Sequence, residues 1–208
     1  MSTNKSAATL QRRPLVKQLL EGADDNLLVI AGLGSSNWDI TAAGDRPLNM
    51  PLWGSMGAPV GMGLGLAMAQ PTKRVLVITG DGDMLMSLGS LATVATQMPE
   101  NLAIVVLDNE KFGETGNQAT HTSPRNNGPT DSGAGTDLAM IARGCGIPDA
   151  TTVRDSSEVA DLVKDVRSKK GPVFRLVKVM VEKLEFVMPP QDGAHLKDRF
   201  RQALLGHP

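Results

Sequence analysis

Two short polar motifs, each at the end of an apolar run, hold the residues of this chain best suited to chemistry. Residues 75–78 run into Thr79-Gly80-Asp81-Gly82-Asp83, and residues 103–107 run into Asp108-Asn109. A carboxylate, an amide oxygen and backbone carbonyls are hard donors. Together they suit a cation such as Mg²⁺, with phosphate oxygens of a ligand completing the shell. For these donors to meet, the two runs must be parallel strands that end on one edge of a sheet. The segment between them makes the connection: Leu88, Leu91, Val94, Ala95 and Met98 recur on one helical face, and Pro99 closes the pattern. A right-handed strand–helix–strand crossover makes the strands parallel and brings Asp81 and Asn109 to the same edge.

This arrangement resembles the thiamine diphosphate-binding motif, in which GDG is followed some way downstream by a pair of asparagines or a variant of it. The resemblance implies that Asp81, Asn109 and the backbone carbonyl of Lys111 hold Mg²⁺. It places cofactor contacts at Gly80, Gly82 and Asp83, and at Phe112, Gly113, Glu114 and Thr115. The chain departs from the family pattern in carrying Asp108 where the first asparagine is usual, and Lys111 where glycine is common. Neither change removes a ligand. Upstream, Gly54-Ser55-Met56-Gly57 is similar to the family segment that cradles the aminopyrimidine. There the Gly54 carbonyl would accept from the 4′-amino group and Met56 would prop the cofactor into a bent shape, with Ser55 between them. A flexible thioether suits such a wedge.

A further contact is expected near the start. Residues 27–31 read as a strand, followed by the glycine- and hydroxyl-rich turn Gly32-Leu33-Gly34-Ser35-Ser36. Backbone amides of such turns attract anions, and the resemblance puts Ser35, with Ser36 beside it, near the diphosphate and pyrimidine. Gly61-Met62-Gly63-Leu64-Gly65 invites a nicotinamide-dinucleotide reading, which requires a strand immediately before it. Pro51, Trp53, Gly57 and Pro59 stand there instead, so the small residues are read as letting a helix pack tightly on the sheet.

Beyond the metal motif, residues 111–118 and 120–135 read as polar loops, and loops at this edge of an open α/β sheet tend to carry function. Thr115, Gln118, His121 and Arg125 are within reach of a substrate in that reading. His121 is a candidate proton carrier, although a lone histidine in a polar loop is equally a solvated side chain. Arg125 is a candidate partner for a carboxylate or sulfonate.

The cofactor of this family is activated by a glutamate on a separate pyrimidine-binding domain. The flanks outside the expected domain, residues 1–9 and 182–208, are too short to hold one. The resemblance therefore implies a subunit whose partner chain supplies the glutamate, in a hetero-oligomer, with a homodimer of the isolated chain also open. Among split enzymes of this kind, the ferredoxin-linked subunits need cysteines for an iron–sulfur cluster, and this chain has one, Cys145. The chain is most similar to the sulfopyruvate decarboxylase β-subunit and phosphonopyruvate decarboxylase family. The implied reaction is decarboxylation of a small 2-oxo acid to an aldehyde. Carboligation of the acetolactate synthase type, and a non-catalytic subunit that keeps the fold, stay open.

Composition agrees. The 208 residues suit one α/β domain, residues 10–208, after a disordered segment 1–9; a doubly wound, mostly parallel sheet with helices on both faces is expected. Hydrophobic residues make up 41% and the net charge is −1, so neither nucleic acid nor a membrane surface is indicated as a partner. One cysteine excludes an intrachain disulfide and points to a cytoplasmic setting. No cleavable leader opens the chain, and no apolar run approaches ~18 residues. Further elements are expected as helices over 10–20, over 137–143 with Thr136 as N-cap, after Asp155 with Glu158 completing a capping box, and over 196–205. Residues 173–181 are expected as a strand.

Overall fold

The computed structural model describes residues 9–124 and 135–207. Helix α1, Arg12–Leu20, precedes strand β1, Leu27–Ala31. Helix α2, Ser35–Ala42, and strand β2, Asn49–Pro51, follow, then helix α3, Ala58–Ala69, and strand β3, Arg74–Gly80. Two short helices, α4, Asp81–Leu85, and α5, Gly89–Gln97, lead to strand β4, Leu102–Asp108. A small hairpin of β5, Lys111–Phe112, and β6, Gln118–Ala119, comes next. The chain closes with α6, Leu138–Gly144, β7, Asp149–Val153, α7, Val159–Ser168, β8, Val173–Lys178, and α8, Gly193–Leu205.

Six strands form one parallel sheet in the order β2-β1-β3-β4-β8-β7. Strands buried on both faces need side chains that are apolar at every position, and β1 and β4 meet this with fully buried Leu-Leu-Val-Ile-Ala and Leu-Ala-Ile-Val-Val-Leu runs. Successive residues feed opposite cores. Leu28, Ile30, Val75, Val77, Ile104 and Val106 pack with α3, α5, α6 and α8, whereas Leu27, Val29, Leu76, Ile78 and Val105 pack with α1 and α7. The doubly wound sheet is as expected.

Helix α3 shows why its sequence is so rich in glycine. A Cβ on Gly63 would lie 2.2 Å from Cγ2 of Val77, so only glycine lets the helix settle on β3. Asp155 and Glu158 form the expected capping box, which opens a single 3₁₀ turn ahead of α7.

Several expectations are corrected. Asp137, not Thr136, caps α6, accepting from the Met140 amide. The connector between residues 81 and 98 is two helices rather than one, and Met98 takes a left-handed C-cap conformation and faces solvent instead of the core. Edge strands β2 and β7 are additional to the strands expected. Residues 111–119 form a hairpin rather than a flexible loop. The last sheet strand stops at Lys178, where the main chain leaves the sheet.

Candidate active site

Strand order locates the site. From β1 the chain moves outward to β2, then returns to the other side of β1 to form β3. Between β1 and β3 the connections diverge, which opens a crevice beyond the carboxyl ends of the strands where α/β proteins bind ligands. A cavity of about 150 Å³ lies there. It is lined by Leu33, Gly34, Ser35 and Ser36 after β1, by Gly80, Asp81, Gly82 and Asp83 after β3, and by Asn109 with residues 111–115 after β4. Met56, Leu107 and Arg12 complete it.

Asp81 stands at the start of α4, 2% exposed, in a polar chain that crosses the sheet edge. Its Oδ2 accepts from the hydroxyls of Thr120 at 2.5 Å and Thr122 at 2.9 Å. Thr122 Oγ1 also lies 2.9 Å from Oδ1 of Asp108, so one hydroxyl stands between two buried carboxylates. Burial, then the negative charge of Asp108, pushes the Asp81 carboxyl up to about 6 against the pull of the two threonines. Asp108 is held differently. The Lys178 ammonium lies 2.7 Å from its Oδ2 and 2.6 Å from Oε1 of Glu110. Burial draws the Lys178 ammonium down, but the two carboxylates overcome it and hold it above its ordinary value.

Lys178 thus grips both neighbours of Asn109. Glu110 sits at φ +63°, a left-handed conformation unfavourable for a residue with a Cβ. Its carbonyl is fixed by the Thr120 amide at 3.1 Å, and the Asn109 side chain accepts from the Lys111 amide at 3.0 Å. The turn that carries Asn109 and Lys111 into the cleft is therefore anchored at several points.

Asp83 joins the far wall to this edge. It accepts from Thr79 Oγ1 at 2.5 Å and from the Gly57 amide, so the loop that bears Met56 is tied to the turn after β3. Burial raises its carboxyl despite these donors. A Cβ on Gly32 would come within 2.1 Å of Asp83 Oδ2, and one on Gly82 within 2.4 Å of the Phe112 ring. Both glycines allow close approach rather than flexibility.

The expected residues mostly converge. Ser35, Ser36, Met56, Gly80, Asp81, Gly82, Asp83, Asn109, Lys111, Phe112, Gly113, Glu114 and Thr115 all line the cleft. Gly54, Ser55 and exposed His121 do not line it; the His121 carbonyl accepts from the Thr136 amide at 2.7 Å. Arg125 lies outside the described residues. Sequence reasoning missed Thr120, Thr122, Lys178 and Arg12. For Arg12 a signal existed: paired arginines oppose the helix dipole at an N-terminus, so Arg12-Arg13 opening α1 required another reason.

The donors fit a hard cation. Among the described residues the buried Asp81 carboxylate takes its side-chain hydrogen bonds from hydroxyls, and no lysine or arginine forms an ion pair with it. Among the described residues no three His, Cys, Asp or Glu side chains converge as a metal cage. A hard cation at Asp81 would take its remaining oxygens from an amide, a carbonyl and a phosphate.

Residues 34–177 match the family described as thiamine pyrophosphate enzyme, C-terminal TPP binding domain. The chain belongs to that family. The resemblance read from GDG and Asp108-Asn109 is borne out. This TPP-binding chain is 37% identical over 142 residues to sulfopyruvate decarboxylase subunit beta of Methanocaldococcus jannaschii, covering 68% of this chain and 70% of that one. The β subunit of Methanothermobacter thermautotrophicus is 33% identical, with 90% and 92% covered. Phosphonopyruvate decarboxylase of Streptomyces viridochromogenes is 30% identical over 95% of this chain, which spans 47% of that protein. A 2-oxoglutarate:ferredoxin oxidoreductase from Magnetococcus marinus shares the fold, with TM-score 0.66 and 18% identity over 95% of this chain and 78% of that one. No helix among the described residues is long and apolar enough to cross a membrane.

Proposed function

We propose that the chain is the thiamine diphosphate- and Mg²⁺-binding subunit of a two-subunit 2-oxoacid decarboxylase, with a partner subunit supplying the activating glutamate. The observation that carries the reading is the convergence of Asp81, Asn109 and Lys111 with Ser35 and Met56 around one cleft at the sheet's switch point. Relatives that match along most of their length are named as β subunits of sulfopyruvate decarboxylase, which supports both the substrate class and the need for a partner.

In this reading Asp81, the Asn109 amide oxygen and the Lys111 carbonyl would hold Mg²⁺, which would neutralise charge on the diphosphate. Ser35 and Ser36 meet the anionic end from the start of α2, and Met56 wedges the cofactor into shape. Thiamine diphosphate, when bound, supplies the nucleophilic carbon and the electron sink that let CO₂ leave a 2-oxo acid. The chain's own part is to orient and to exclude water: Phe112 packed on Gly82 and Leu107 form the apolar floor. Specificity is shared between residues 111–118 and the partner's surface, and the site works in the cytoplasm.

Calorimetric titration of thiamine diphosphate with Mg²⁺ tests this, into the chain alone and with its co-purified partner. Binding that tightens with the partner and disappears in Asp81→Ala is expected, together with CO₂ release from 2-oxo acids. Undiminished affinity in a folded Asp81→Ala variant would remove the site assignment.

A further inference from the structure

Arg12 has no role in the cofactor motif, yet it lines the same cleft. It opens α1 at the carboxyl edge of the sheet, because Leu10 bridges to Val179 just past the end of β8. The residue is 4% exposed. Its Nε donates to Oδ2 of Asp39, which is itself fully buried, and its main-chain amide donates to Glu182 Oε2 at 2.8 Å. Arg13 Nε donates to the other oxygen of Asp39 at 3.0 Å. One carboxylate therefore faces two guanidiniums, while Glu182 meets the main chain of Arg12. Among the described residues, neither terminal nitrogen of Arg12 has a hydrogen-bond partner, although the side chain is more than nine-tenths buried.

A buried guanidinium with its Nε locked and its fork open is preorganised for two oxygens of one anion. The surroundings agree. Gly34 turns the chain at φ +85° into α2, no side chain caps that helix, and Ser35 and Ser36 line the cleft from its first turn. Unfilled amides at a helix start favour negative charge. Glu114, which reaches over Gly34 from the hairpin, is exposed.

We propose that Arg12 is the oxyanion-binding residue of the cleft, its two terminal nitrogens holding a tetrahedral or carboxylate oxyanion of the bound molecule. The inference rests on thiamine diphosphate occupying the cleft. Two parts of the bound set carry such a group: the diphosphate of the cofactor, and a second acidic group on the 2-oxo acid.

The test uses the full chain with its partner subunit and three variants, Arg12→Gln, Arg12→Lys and Arg13→Gln. Calorimetry measures thiamine diphosphate with Mg²⁺, and then phosphonoacetate and sulfoacetate on the loaded protein. Loss of a bidentate charged contact predicts about a tenfold or greater fall in affinity for Arg12→Gln. A fall confined to thiamine diphosphate assigns the contact to the diphosphate. A fall confined to phosphonoacetate and sulfoacetate assigns it to the substrate's acid group. Arg13→Gln removes the second ion pair of Asp39 without touching the cleft, so it must leave both affinities unchanged. Should Arg12→Gln not fold, Arg12→Lys keeps the charge, lacks the fork and is still expected to weaken one of the two. Affinities within about twofold of the native protein in a folded Arg12 variant overturn the proposal. Loss of cofactor binding in Asp81→Ala alongside that result would leave the proposed function standing.

Discussion

Lys178 lies directly across from Asp108 in the register of β8 against β4, and its ammonium bridges the carboxylates on either side of Asn109. The unusual acid in the metal motif is therefore a compensated one: the charge added by Asp108 is answered from the neighbouring strand. Removing one partner of a buried pair leaves an uncompensated charge, at a cost of about 3–5 kcal/mol. Lys178→Met should lower stability by that order and weaken Mg²⁺-dependent cofactor binding. Adding Asp108→Asn should restore most of both. Denaturant melts and calorimetry on the two single variants and the double variant check this, and an additive double variant would refute the coupling.

The raised carboxyl of Asp81 makes the cation-free protein sensitive to pH. Its folded value of about 6 lies above the unfolded value, so the folded state binds the proton more tightly. The stabilisation is complete below about pH 4 and is lost as pH rises through 6, by at most about 3 kcal/mol at 1.4 kcal/mol per pH unit. A bound cation reverses the preference. Thermal melts from acid to neutral pH with a chelator should show falling stability that Asp81→Asn flattens. Mg²⁺ with thiamine diphosphate should remove the slope in the native chain.

The clamp between Asp83 and Gly57 depends on the missing side chain at Gly32. Gly32→Ala should push Asp83 away and release the Met56 loop, at about 1–3 kcal/mol of stability. Cofactor affinity should fall by more than this stability loss explains, because the loop that props the cofactor loses its tether. Unchanged affinity in the folded variant would show that Asp83 does not position Met56.

Two glycines of α3 should behave oppositely. Gly63→Ala drives a methyl into Val77 and should destabilise by about 1–3 kcal/mol. Gly61 has open space around its Cα, and Gly61→Ala should stabilise by up to about 1 kcal/mol through helix propensity. Denaturant midpoints of the two variants separate packing from propensity.

Much of this molecule was legible in its sequence. The apolar runs of β1, β3 and β4 could be read as buried parallel strands, because both faces of such strands must be hydrophobic. Their carboxyl ends carried the motifs with them, so chain order and the handedness of the crossover put Asp81 and Asn109 on one edge, and the family resemblance added their roles and Ser35. The misses have local causes. Edge strand β2 has three residues, and β7 reads Asp-Ala-Thr-Thr-Val, where two adjacent threonines break the alternation, so neither shows a clear periodic signal.

What only the tertiary structure decided is which charges meet. Asp108 and Lys178 are far apart along the chain and are joined by strand register; Asp81 and Thr122 meet by the return of a hairpin; Arg12 and Asp39 meet by the packing of α1 on α2. Local pattern reflects burial, because burial repeats with the period of the element. A polar contact between distant segments has no period. It is set by where strands and helices finally lie, and so the donors could be named from the sequence while the groups that hold and charge-balance them could not.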